Sequence, residues 1–145
     1  MIRAIILVLI TALSGSGYAV ELEPPTEYNG WVVDVVNGNT ISILTDTKGT
    51  KELLTFQLYG IDCPEQNQEK AMQFIKNQVY EKAVNVLQLA KNLKGQILVM
   101  VYYGHNPDKL LNEEIIKVGH AQVAKHCRFP FCEDWKEIEA DNRKK

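Results

Sequence analysis

The chain has 145 residues, 46% of them hydrophobic and 23% charged, with a formal net charge of −2 at pH 7. That balance is too polar for a membrane bundle and too apolar for a disordered tail, and it suits one soluble globular domain. With no polybasic tract in the chain, indiscriminate coating of nucleic acid is also excluded.

In chain order, Arg3 comes first as a short positive region, then the apolar run Ala4 to Leu13, then small residues from Ser14 to Ala19. The pattern predicts a signal peptide over residues 1–19, cut after Ala19, and an exported protein, periplasmic or secreted. An uncleaved anchor is the alternative, but about ten apolar residues fall short of the roughly 20 that span a bilayer. No membrane span is therefore expected after cleavage. Beyond Ala19 the charge is uneven: Val20 to Ala90 carries five lysines against ten acidic residues. Lys91 to Arg128 reverses this, with five lysines and one arginine against three acidic residues.

A proline-containing lead (residues 20–28) precedes the expected domain at 29–145. Trp31 to Val36 reads as a strand ending at the turn signal Asn37-Gly38. Thr40 to Leu44 resumes with Ile41 and Ile43 on one face, Lys48-Gly49 turns again, and Leu54, Phe56 and Leu58 alternate inward. Gly60 to Glu65 breaks the pattern. Ala71, Phe74, Ile75 and Val79 then predict a helix from about Gln68 to Val79. Val84 to Leu89 and Ile97 to Tyr103 are two more strands. Asn112 reads as the N-cap of a helix that Gly119 ends, and Trp135 to Arg143 as a last, charged helix. Five strands with a helix after the third predict an α+β, mainly β fold: a five-stranded OB-fold barrel with about three helices.

In an oxidising compartment, Cys127 and Cys132 are close enough in HCRFPFC to close a small disulfide loop worth about 2 kcal/mol. A zinc site using His126, Cys127 and Cys132 is the rival, without a second ligand pair at metal spacing. Cys63 is left over and reads as a small buried residue.

The segments VVNGNT (Val35 to Thr40), TFQLYGIDCPE (Thr55 to Glu65), LKGQILVMVYY (Leu93 to Tyr103) and LNEEIIKVGHA (Leu111 to Ala121) follow one another in an order and spacing that is specific. With them the chain resembles the staphylococcal nuclease (thermonuclease-like) family, whose members are calcium-dependent phosphodiesterases acting on DNA and RNA. The resemblance runs from about Asn29 to Lys145. It carries over unevenly. Where the family reads D-G-D-T this chain has Asn37 and Asn39, and the second of these matches a calcium ligand. The two phosphate-gripping arginines of the family match Gln57 and Gln96. The D-x-P-E motif is intact as Asp62, Cys63, Pro64 and Glu65; there the Asp and the next carbonyl bind calcium, and the Glu acts on the attacking water. No shift of register restores an arginine, because beyond Arg3 the chain holds only Arg128 and Arg143.

The resemblance thus implies a residual site. Glu65 is its remaining base, Asp62, Asn39 and the Cys63 carbonyl are weak calcium ligands, and Lys91 and Lys94 are substitute phosphate-binding charges. Losing one transition-state donor costs ~10²–10³ in rate, so the expectation is a binding module for nucleic acid, a phosphate ligand or a protein. A slow calcium-dependent nuclease and a protein-interaction subunit of an envelope assembly are the alternatives.

Overall fold

The computed structural model describes residues 21–47 and 49–145; the expected signal peptide and Lys48 lie outside them. Five long strands, rich in β-branched residues, form the core: β1 (Glu21–Asn37), β2 (Thr40–Thr47), β3 (Thr50–Leu58), β4 (Ala83–Lys91) and β5 (Ile97–Tyr103). Their order is β3-β2-β1-β4-β5, with antiparallel neighbours. Parallel pairing of β3 with β5, at Phe56 with Ile97, Gln57 with Leu98 and Leu58 with Val99, closes the barrel. Closure is confined to the last three residues of β3, so the Thr50–Thr55 stretch pairs with β2 alone. The expected five-stranded barrel is thus the observed one.

β1 starts upstream of the boundary expected at Asn29, since Glu21 already pairs with Lys91. A register shift between Leu22 and Thr26 absorbs Pro24 and Pro25, which have no N–H to give the ladder. Val32, Ile41, Ile43, Phe56, Val86, Val99 and Val101 fill the interior. Helix α1 (Gln68–Val79) plugs it with Ala71, Ile75 and Val79, four residues apart on one face.

Asn112 corrects the sequence reading. It is not an N-cap but a fully buried residue inside α2 (Leu111–Lys117), one position after its start. Its Oδ1 accepts from the Val101 N–H at 3.1 Å, and its Nδ2 donates to the Tyr59 and Val99 carbonyls, each at 3.0 Å. The polar side chain is recruited by the barrel, not by its own helix. Gly119 does end α2, at φ 77°. Helix α3 (Phe131–Arg143) starts four residues before the expected Trp135, because Phe131, stacked between Phe129 and Trp135, belongs to the same aromatic cluster.

Candidate functional site

The site grows from two turns that one side chain ties together. Between β1 and β2 the central residues are Gly38 and Asn39, not Asn37-Gly38, and neither has a positive φ. Glycine is required here by packing: a Cβ on Gly38 would lie 2.5 Å from Cys63 Sγ. Asn37 Oδ1 instead accepts from the Asn39 N–H at 3.0 Å and shapes the turn. Gln68, the first residue of α1, then bridges two segments. Its Oε1 accepts from the Gly38 N–H at 2.8 Å and its Nε2 donates to the Cys63 carbonyl at 2.9 Å. The β1–β2 turn and the Asp62–Glu65 loop are therefore held as one piece.

Asp62 is exposed and Cys63 buried, as strand alternation demands over the two-residue pairing of Ile61 and Asp62 with Val123 and Gln122. The Cys63 thiol contacts the Pro64 and His120 carbonyls. Burial pushes its pKa up, and the Asp62 charge adds to this; Cys63 is the small buried residue expected.

A pocket of about 270 Å³ opens where β3 meets β5. Its polar wall is Asn39, Gln57, Asp62, Lys125 and His126, completed by Leu58, Gly60, Ile61, Leu98 and Ala124. Three of the predicted residues, Asn39, Gln57 and Asp62, are thus brought together. Glu65, Gln96, Lys91 and Lys94 lie outside this wall. Gln96 is drawn into the turn before β5, where its Oε1 accepts from Asn92 Nδ2 at 2.5 Å and its N–H donates to Asn92 Oδ1 at 3.0 Å. The sequence reading offers His126 only as a zinc ligand and does not single out Lys125. The basic excess between Lys91 and Arg128 is its one signal, and that gives no hint of which lysine reaches the pocket.

Gln57 Oε1 is buried against the pocket with no hydrogen-bond partner among the described residues. An unpaired buried acceptor costs about 1–3 kcal/mol. Gln57→Met, of similar length and without the amide, is therefore expected to raise stability by about 1 kcal/mol. A rise in the urea midpoint checks it; a fall shows that the amide is satisfied in solution.

The family model described as staphylococcal nuclease homologue matches residues 55–145. The chain belongs to that family. It is 32% identical over 97 residues to a protein of Haemophilus influenzae named "Uncharacterized endonuclease", across 65% of this chain and 51% of that protein. The chain thus spans about half the length of this curated relative.

For a staphylococcal nuclease homologue, the donor set around Asp62 fits calcium poorly. Affinity for that ion follows the number of carboxylates, and Asp62 supplies the only one in the pocket wall. Asn39 Oδ1 already accepts from the Thr40 hydroxyl at 3.0 Å, and the Cys63 carbonyl already takes the Gln68 amide. Among the described residues no three His, Cys, Asp or Glu side chains are grouped to hold a metal ion. The zinc alternative is overturned directly. Cys127 and Cys132 form a disulfide, with Cα atoms 5.8 Å apart, so neither thiolate is free to ligate. No helix among the described residues is long and apolar enough to cross a membrane.

Proposed function

We propose that this chain is an exported, ligand-binding member of the staphylococcal nuclease family, which holds nucleic acid or another phosphate-bearing group without cleaving it at an enzyme's rate. The observation that carries the reading is the make-up of the pocket wall, where the neutral amides Asn39 and Gln57 flank a lone carboxylate, Asp62. Phosphodiester cleavage builds negative charge on the equatorial oxygens, and fixed cations must meet it there. A glutamine supplies a neutral amide in place of a permanent, bidentate charge. Shape for a ligand is kept while the charge for its transition state is removed. The leader pattern at residues 1–19 and the disulfide support export into an oxidising compartment.

The test pairs binding with cleavage. Purified protein is titrated against a fluorescein-labelled single-stranded DNA decamer across salt concentrations, and the decamer's length is read afterwards. Binding that weakens steeply with salt, with the strand intact, is the expected result.

A second reading, a protein partner, is favoured by one feature of the outer wall. Trp31, Leu44 and Leu53 stand in cross-strand register, 47%, 38% and 63% exposed. Such a row suits an apolar protein surface. It gains ground if the decamer is not bound even at low salt.

A further inference from the structure

The loss of arginine from β3 and from the turn before β5 does not leave the pocket without cations. We propose that Lys125 and His126 hold the anionic group of the ligand in this pocket, and that the Cys127–Cys132 disulfide fixes them in position. The proposal rests on the binding reading above and names the residues that carry it.

Three observations converge. Both side chains line the same pocket as Asp62 and Gln57. Lys125 forms no ion pair with any carboxylate of the described residues, so its charge is available to a ligand. The backbone that carries the pair is also clamped on both sides. Upstream, Gln122 and Val123 pair with Asp62 and Ile61, and the Ala124 N–H donates to the Gly60 carbonyl at 2.8 Å. Downstream, the Cys127 N–H donates to the Ala124 carbonyl at 3.1 Å, the Arg128 N–H donates to the Tyr59 hydroxyl at 3.2 Å, and the disulfide ties Cys127 to α3. Two residues held between such anchors keep a near-fixed distance to Asp62 and Gln57.

The chemistry follows from the residue types. Lys125 offers a compact charge with three donors, and His126 a ring N–H, both suited to phosphate oxygens. The Asp62 carboxylate in the same wall is an acceptor for a ligand's donor. The ligand is therefore a phosphate with a hydrogen-bond donor close beside it, as a nucleotide unit presents.

The experiment measures the labelled DNA decamer against wild type, Lys125→Gln, His126→Gln, Lys94→Gln and, as a control, the remote Lys51→Gln. Lys125→Gln is expected to weaken binding about tenfold and to lower the magnitude of the salt slope by roughly 0.7, the share of one phosphate contact on a single strand. His126→Gln weakens binding with a smaller change in slope. Lys51→Gln leaves both unchanged. Reduction of the disulfide weakens wild-type binding severalfold while the barrel stays folded by circular dichroism. If Lys94→Gln carries the loss and Lys125→Gln binds like wild type, the proposal is overturned and the binding reading stands. Unchanged affinity after reduction overturns the positioning role of the disulfide. No binding by wild type at low salt overturns both the proposal and the reading beneath it.

Discussion

Trp135→Ala is expected to destabilise the protein by about 4 kcal/mol, the usual range for emptying a buried indole site. Trp135 is 1% exposed, its ring lies 4.6 Å from that of Phe131, and its Nε1 donates to Glu113 Oε2 at 3.3 Å. A Cβ added to Gly60 would sit 3.0 Å from its Cζ3, so the indole packs directly on the turn that leads into Asp62. Gly60 has φ 73°, a conformation that disfavours any side chain, which leaves the neighbourhood little freedom to collapse into the cavity. Urea denaturation with an unchanged m-value measures the loss. A loss under about 1 kcal/mol would show that α3 is not part of the cooperative core.

Asn112→Ala is expected to cost about 3 kcal/mol. The substitution strips the Val101 N–H of its side-chain acceptor and removes the Nδ2 donor from the Tyr59 and Val99 carbonyls, all in a site closed to water. Each buried group left unpaired costs about 1–3 kcal/mol. The Val99 carbonyl also accepts from the Tyr59 N–H at 2.8 Å, so it is not orphaned and the losses do not simply add. Asn112→Asp separates shape from hydrogen bonding. It keeps the volume but turns a carboxylate oxygen toward two carbonyls, and it is expected to lose at least as much at neutral pH. A silent Asn112→Asp would mean that packing alone holds α2 to the barrel.

These two residues also mark where local reading of the sequence succeeds and where it stops. The helical spacing of Ala71, Ile75 and Val79 marks α1 at Gln68 to Val79, and the apolar run Ile97 to Tyr103 marks β5, the bounds observed. Helix α1 buries one regular face, whereas β5 is buried at four consecutive positions, Leu98 to Val101. Asn112 had the local signature of a cap, yet its partners lie 11, 13 and 53 residues away. No window along the chain contains them. The site divides in the same manner. Asp62, Asn39 and Gln57, named from the family resemblance, line one pocket. Gln96 is taken up by Asn92 in its own turn, a contact set by side chains four residues apart. Lys125 and His126 reach the pocket only because a two-residue pairing lays Gln122 and Val123 beside Ile61 and Asp62. Such short pairings leave no periodic trace.

The chemistry of the pocket reduces to whether charge on the ligand is met by enough fixed charge on the protein. Lys125 is a single point charge, and Asp62 is the one carboxylate in the same polar wall. On the binding reading proposed above, that charge holds a phosphate but does not stabilise its pentacoordinate transition state. Glu65 is exposed and lies outside the wall.

The most direct test is hydrolysis of single-stranded DNA and RNA by the purified protein, with millimolar calcium, with chelator, and beside a Glu65→Gln variant. The predicted result is intact strand in all three arms, with the decamer still bound. Calcium-dependent cleavage that Glu65→Gln abolishes would contradict the account and make Asp62 and Glu65 a working minimal site.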